Sequence, residues 1–191
     1  DFTIEPDTWS AAVAQASDTS HLSAERVRDE WVKGVATARS PAHFAALWLQ
    51  SGVAATWLPE LLADIPADGA LDHRDPILVA AHFAQPSASV WRRFKGSSAD
   101  IRRAEAIDRG PAAPASADAR LVRHWLADVG DAATDLLTLA QWREAAALDW
   151  IAVVAGIRIR GEATSRGALA VNGGDLQHAG VPSGPRVGIV L

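Results

Sequence analysis

Apolar residues recur at helical spacing along most of this chain, and no segment of useful length shows the alternating pattern of a strand. Val27, Trp31 and Val35, for example, lie four residues apart and so share one helix face. The pattern predicts an all-α fold, a multi-helix array. The tryptophans mostly occupy apolar helix positions, so we predict that they belong to the core.

Residues that favour helix starts punctuate this pattern. Pro6 suits a first helical position, and Ser23, Ser40 and Asp75 are good N-caps, the last two directly before a proline. Ser97 to Asp100 predicts a capping box that opens the helix of Ile101 to Ile107. Gly52 is expected to end the helix of Leu47 to Leu49, and a short apolar helix interrupted by Pro59 is predicted over Trp57 to Leu62.

Two segments are typical of linkers. Residues 63–74 form the first, and residues 110–117, rich in Pro and Ala, form the stronger one. Two or three long helices are predicted from about Ala119 to Arg158, after which the composition turns to Gly and Pro. The apolar series Trp9, Val13 and Ala16 predicts an amphipathic first helix.

Composition limits the class of protein. With 191 residues, of which 49% are hydrophobic and 21% charged, the chain has the composition of one or two small globular domains. It has no cysteine, hence no disulfide and no thiolate site, and no apolar run reaches the ~18 residues of a membrane span. We expect a cytoplasmic protein without a membrane partner.

The formal net charge of −5 argues against a uniformly positive surface, so nucleic-acid contact would require local clusters. Few acidic residues lie among Arg158, Arg160, Arg166 and Arg186. A second set is interspersed with carboxylates, so a phosphate-binding ridge and an ordinary charged helix surface both remain open for it; it comprises Arg92, Arg93, Lys95, Arg102 and Arg103.

Catalytic and metal-binding patterns are not found. His73 and His82 near Asp75 suggest a metal-dependent phosphohydrolase, but that chemistry needs an adjacent His-Asp pair, which the sequence lacks. We therefore interpret both histidines as loop or core residues and predict no metal site and no catalytic residue. Two-metal nucleotidyl transfer needs converging carboxylates, and Gly96 to Asp100 offers one carboxylate in a predicted helix.

Four stretches resemble, in order, the class II CCA-adding tRNA nucleotidyltransferases and bacterial poly(A) polymerases. They are Phe2 to Thr8, Leu22 to Lys33 with its "ERV…E…K" pattern, Leu49 to Leu61 with "SG…LPEL", and Leu169 to Gly188 with "G-x-D-L…G-P-x-V-G". The resemblance covers nearly the whole chain but not the catalytic head of that family. The chain also lacks methionine, and we interpret it as an internal piece of a longer protein.

The resemblance implies a division into the end of the neck at residues 1–39, the body at 40–110 and the tail at 111–191. It implies that Glu25, Arg26, Glu30 and Lys33 brace the neck. In the tail, the four arginines named above are predicted to contact RNA phosphates because few acidic residues lie among them, and the resemblance adds the signature residues Asn172, Gly173, Asp175 and Gly184. Asn172 and Asp175 cap helices well, so a purely local role stays open for both.

The function implied is that of the RNA-binding and positioning portion of an enzyme that adds CCA to tRNA 3′ ends from CTP and ATP. The implied activity is that of a transferase in tRNA processing that binds RNA and ATP, and Mg²⁺ with the nucleotides is expected in the head, not here. tRNA is the expected partner, held on its acceptor and T-arm side. A poly(A) polymerase of the same superfamily and a non-enzymatic helical interaction module remain alternatives.

Overall fold

A computed structural model describes residues 3–68, 74–143 and 149–190, with only the backbone described at 166, 189 and 190. The chain divides into two compact units. The first unit comprises Asp1–Gly110 and Thr134–Ala146, and the second comprises Pro111–Ala133 and Ala147–Leu191. The boundaries predicted for neck, body and tail concern a parent enzyme and stay predictions.

The described residues form twelve α-helices and no sheet, which confirms the all-α prediction. In chain order they are α1 Pro6–Ala14, α2 Ala24–Thr37, α3 Pro41–Gln50, α4 Ala54–Trp57, α5 Pro76–Phe83, α6 Ser87–Arg93, α7 Ser98–Asp108, α8 Ala119–Val129, α9 Ala133–Arg143, α10 Asp149–Ile159, α11 Gly173–His178 and α12 Pro185–Val190. Short 3₁₀ turns occupy Ala16–His21, Gly130–Ala132 and Arg166–Ala168.

The predicted helix starts are confirmed by their cap geometry. The side chains of Ser23 and Ser40 accept the backbone N–H three residues on, at 3.3 and 2.9 Å. Asp75 accepts two backbone N–H groups of α5, and Ser97 with Asp100 forms the reciprocal capping box that opens α7. Because each cap satisfies N–H groups that the helix leaves unpaired, these positions fix where the helices begin.

The helix predicted over Trp57 to Leu62 is wrong. Helix α4 ends at Trp57, and Leu58 leaves the helical region with φ −141° and ψ 50°. Pro59 disfavours the α conformation at the residue before it, so the chain turns there instead of continuing. Leu61 then makes an isolated antiparallel bridge to Ala84.

Helix α5 is the centre of the first unit. All seven residues from Ile77 to Phe83 are buried, and helices α2, α3, α6 and α7 contact it. A helix that is apolar on every face needs neighbours on every face, which explains the array around it. The first helix behaves differently, since α1 buries no residue and Val13 is 41% exposed.

Helices α2 and α3 meet through an aromatic cluster. The ring of Trp31 lies 5.4 Å from that of Phe44 and 5.5 Å from that of Trp48, between centroids. The Phe44 ring packs onto Gly34, where a Cβ atom would lie 2.0 Å from the ring. Gly34 is therefore required for this close approach, although glycine inside a helix is unfavourable by about 0.5–1 kcal/mol relative to alanine.

The second unit has its own small core. Helices α8 and α10 pack together, and the rings of Trp125 and Trp150 meet edge to face at 5.1 Å between centroids. Val122, Leu126, Val154 and Ile157 are buried with them. Helices α11 and α12 pack on each other. The tryptophans are buried in both units, except Trp9 and Trp48, which are half-buried.

His82 is a core residue, as predicted, whereas His73 lies outside the described residues. His82 is 2% exposed, and neither ring nitrogen has a hydrogen-bond partner among the described residues. Its ring packs against Phe83 and Trp142 at 4.8 and 5.9 Å between centroids. Burial lowers the pKa of His82, and the nearby positive charge of Arg143 lowers it further, so the ring is neutral in the folded protein.

Acidification should therefore destabilise the protein through His82. Below about pH 6.5, the ordinary pKa of histidine, His82 binds a proton in the unfolded chain but not in the folded chain. The free energy of unfolding therefore falls as the pH drops from about 6.5 towards the lowered pKa of His82 in the folded state. We expect His82→Leu to flatten this dependence of the free energy of unfolding, measured by urea titration across that range. The exposed His43→Gln is the control, and an unchanged slope in His82→Leu would contradict the assignment.

Candidate nucleic-acid interface

Most side chains of the second candidate set are paired with carboxylates. The set comprises Arg92 and Arg93 of α6, Lys95 just after it, and Arg102 and Arg103 of α7. Arg93 donates both Nη groups to Glu60 at 2.6 Å and also contacts the Trp57 carbonyl at 3.3 Å. These hydrogen bonds to Glu60 raise the pKa of Arg93. The pair thus fixes α6 to the turn after α4, and its net charge is zero.

Arg103 is bound by two carboxylates. Its Nε and Nη2 donate to Asp135 of α9 at 2.7 and 2.8 Å, and its Nη1 donates to Asp75, the N-cap of α5, at 2.8 Å. The hydrogen bonds to Asp135, more than those to Asp75, raise the pKa of Arg103. One guanidinium therefore joins α5, α7 and α9.

The remaining three members differ. Arg92 pairs with Glu105, and Lys95 pairs with Glu25 at 3.1 Å. Arg102 is exposed and has no hydrogen bond or ion pair within the described ranges 3–68, 74–143 and 149–190. The structure thus pairs four of the five members with carboxylates and leaves Arg102 exposed.

The predicted neck-bracing residues lie on α2 and are exposed or half-exposed. Glu25 reaches Lys95, and the pKa of Glu25 is lowered chiefly by a backbone N–H hydrogen bond and then by Lys95. Arg28, which the sequence did not single out, donates to the Lys95 carbonyl at 3.1 Å. Contact between α2 and the end of α6 therefore runs through Glu25 and Arg28, while a bracing role for the whole motif stays a prediction.

Arg26 and Glu30 border a small pocket of about 100 Å³. It lies between α2, α3, α4 and the 3₁₀ turn Ala16–His21. Its lining is mostly apolar: Thr19, Leu22, Arg26, Val27, Glu30, Trp48, Val53 and Trp57. The Trp57 indole donates to the Thr19 carbonyl at 3.1 Å, which fixes one wall. Lys33 is exposed on the same helix.

The tail signature forms a compact pair of short helices. Asn172 and Asp175 make a reciprocal capping box at the start of α11, so both residues are used locally. Helix α11 ends in a Schellman turn, because the N–H of Val181 reaches the Leu176 carbonyl at 2.9 Å. Gly180 supplies the positive φ of 94° that this turn requires.

The other two signature positions are also structural in part. A Cβ on Gly173 would lie 3.1 Å from Val187 of α12, so the absence of a side chain allows the two helices to approach. Gly184 has φ 128° just before α12 begins. The signature glycines are thus explained by folding, and their predicted RNA contact stays a prediction.

The tail arginines are more available than those of the first unit. Arg158 and Arg186 are exposed, and their side chains have no hydrogen bond or ion pair to any described residue. Arg160 donates to Glu162 at 2.6 Å. The side chain of Arg166 lies outside what the structure describes. The sequence did not single out Arg123, which also donates to Glu162 at 2.6 Å.

Charge is distributed unevenly between the units. The second unit holds six arginines and six acidic residues, so the formal charge of −5 resides in the first unit. Within the described residues, no group of three or more His, Asp or Glu side chains could hold a metal ion. None of the described helices is long and apolar enough to cross a membrane.

Comparison with known proteins bears on the first 65 residues. Residues 1–65 match the family model described as "Probable RNA and SrmB- binding site of polymerase A". Over these residues, the resemblance to the C-terminal portion of the poly(A) polymerase and CCA-adding family is confirmed. The match covers 65 of the 191 residues. Neither the curated proteins nor the solved structures gave a match.

The contrast between Arg103 and Arg102 gives a direct test of which cations support the fold. Arg103→Ala leaves Asp135, whose side chain is only 15% exposed, without its partner. Because Arg103 itself is about a third exposed, we expect a loss of roughly 1–2 kcal/mol in the free energy of unfolding.

The control Arg102→Ala should change this free energy by less than about 0.5 kcal/mol. Both values come from urea denaturation. Equal losses in the two variants would show that the contacts of Arg103 do not stabilise the first unit.

Proposed function

We propose that this chain is the RNA-binding and positioning portion of a tRNA nucleotidyltransferase that adds CCA to tRNA 3′ ends. The observation that carries the proposal is the match of residues 1–65 to an RNA-binding segment of polymerase A. The tail signature, with its paired short helices, supports it. In such an enzyme, Mg²⁺, CTP and ATP would belong to the catalytic head.

The contribution of this chain is positional. Holding the RNA so that its 3′ end reaches the reacting groups removes an entropic barrier without any acid, base or nucleophile from the chain itself. The first unit supplies a helical support whose arginines are mostly paired internally, and the second unit presents arginines with few acidic neighbours. We therefore assign RNA contact chiefly to the second unit.

A poly(A) polymerase is the second candidate, and the matching family, whose description names polymerase A, favours it. The two candidates differ in ligand. A CCA-adding enzyme grips folded tRNA, whereas a poly(A) polymerase binds less structured RNA. Comparing the affinity of the chain for a tRNA transcript and for single-stranded oligoadenylate distinguishes them.

A helical interaction module is the candidate from another class. The same description names SrmB as a partner of the family's segment, and the small apolar pocket bordered by Arg26 and Glu30 is a feature to which a protein side chain could bind. An absence of RNA binding at low salt would favour this candidate.

RNA affinity should depend weakly on salt and mainly on the tail. Each neutralised phosphate contributes roughly 0.7 to 0.9 to the slope of log K against log salt, so a few arginines give a slope of about two to four. The triple substitution of Arg158, Arg160 and Arg166 by Ala should flatten it. The measurement is fluorescence anisotropy with labelled tRNA at several salt concentrations.

Two control sets locate the site. Arg102→Ala combined with Arg103→Ala tests the body, and Arg26→Ala combined with Lys33→Ala tests the segment that matches the RNA-binding family. Binding that survives the tail substitutions but is lost in either control set would move the RNA site to the first unit.

The chain alone should not incorporate labelled CMP or AMP into tRNA at any Mg²⁺ concentration. Two-metal transfer needs carboxylates that converge on metal ions. Within the described residues, no group of three or more His, Asp or Glu side chains could hold such an ion. Polyacrylamide analysis of the tRNA measures incorporation. Activity in a preparation free of contaminating enzymes would contradict this division of labour.

A further inference from the structure

The described arginine clusters differ in their ratio of guanidinium groups to carboxylates. Arg103 faces two carboxylates and Arg93 faces one, whereas Glu162 is shared by Arg123 and Arg160. The net charges of these groups are therefore −1, 0 and +1. Glu105 is likewise shared, by Arg92 and by Arg109 at 3.8 Å, so two clusters carry excess positive charge that would attract a phosphate. At Glu105 only Arg92 donates a hydrogen bond, whereas at Glu162 both guanidinium groups do, so the cluster at Glu162 is the one with two oriented guanidinium groups.

The geometry of this cluster arises from two helices and a turn. Arg123 lies in α8, and Arg160 and Gly161 follow the last residue of α10. A Schellman turn closes α10, because the N–H of Glu162 reaches the Ile157 carbonyl at 3.1 Å and Gly161 has φ 61°. This turn places the Glu162 carboxylate between the two helices.

Each guanidinium uses one nitrogen on the carboxylate. Arg123 donates Nη1 to Oε2 and Arg160 donates Nε to Oε1, both at 2.6 Å. No described residue accepts from the other nitrogens of either group, and each guanidinium has five N–H donors in a fixed plane. The side chains are 39% and 58% exposed, so the remaining donors are accessible to a ligand.

The guanidinium of Arg160 is also positioned by its own helix. Gly156 lies one helical turn before Arg160, and a Cβ atom added to Gly156 would be 3.0 Å from Nη1 of Arg160. The bare backbone at Gly156 gives this side chain room to lie along α10. Hydrogen bonds from Arg160 and then Arg123 lower the pKa of Glu162, which keeps the carboxylate ionised and both partners in place.

We infer that Arg123 and Arg160, oriented by Glu162, form a binding site for one phosphodiester group of an RNA backbone. A net charge of +1 matches the single negative charge of a diester better than the double charge of a terminal or free phosphate. Arg123 and Arg160 would be binding residues, and Glu162 a positioning residue. The inference rests on the proposed RNA-binding function and adds a specific contact to it.

Substitution by lysine tests the site, because it keeps the charge and removes the planar donor pattern. We expect the full chain with Arg123→Lys and Arg160→Lys to bind a tRNA transcript roughly fivefold to tenfold more weakly than the unmodified chain. Arg120→Lys is the matched control, since Arg120 lies exposed on the same helix α8 and has no described ion pair. It should bind like the unmodified chain.

Two results would separate this inference from the proposed function. If the unmodified chain binds no RNA, the proposed function fails. If it binds RNA and the double lysine variant binds equally well, the proposed function stands and this site is wrong.

A second measurement avoids substitutions, in case the double variant does not fold. Phenylglyoxal modifies accessible arginines, and mass spectrometry of the unmodified chain should show that tRNA protects Arg123 and Arg160 but not Arg102. Inorganic phosphate and AMP, which carry doubly charged groups, should protect them poorly. Equal protection by AMP, or no protection by tRNA, would overturn the assignment to a backbone diester.

Discussion

The guanidinium of Arg103 joins three helices of the first unit. It binds the carboxylate that caps α5 and a second carboxylate in α9, while its own backbone belongs to α7. Helix α5 is the fully buried centre of the unit, so the contact at its N-terminus helps to determine how the surrounding helices are placed. Removing either carboxylate would destabilise the unit, because the partly buried positive charge of Arg103 would lose part of its compensation.

This use of Arg103 influences where RNA can be bound. Arg92, Arg93, Arg103 and Lys95 all lie against carboxylates, and the first unit as a whole carries the negative charge of the chain. A phosphate approaching these groups would have to compete with their existing partners. The second unit is neutral overall, and its arginines outnumber the carboxylate that they share at Glu162. The charge distribution therefore favours RNA contact by the second unit.

The sequence was most informative where local chemistry decides the structure. The caps at Ser23, Ser40, Asp75 and Ser97 follow from side chains that reach backbone N–H groups a few residues away, so they could be predicted without the fold. The helix predicted through Pro59 is wrong because a proline disfavours the α conformation at the residue before it, here Leu58. The resemblance over residues 1–65 was confirmed by the family match.

The pairing of charges could not be predicted, because it depends on residues far apart in the sequence. Arg103 meets Asp135 across 32 positions, and Arg123 meets Glu162 across 39. Nothing in the local pattern distinguishes Arg103 from its neighbour Arg102, although the structure gives them opposite environments. Gly34 was likewise missed, since its importance appears only when the Phe44 ring is packed on it.

Photo-crosslinking of tRNA to the full chain, followed by mass spectrometry of the crosslinked peptides, tests the central claim most directly. If the cations of the first unit are committed to the fold and the second unit holds the RNA, crosslinks should concentrate in helices α8 and α10 and in residues 160–190. Crosslinks confined to residues 1–110 would contradict the account.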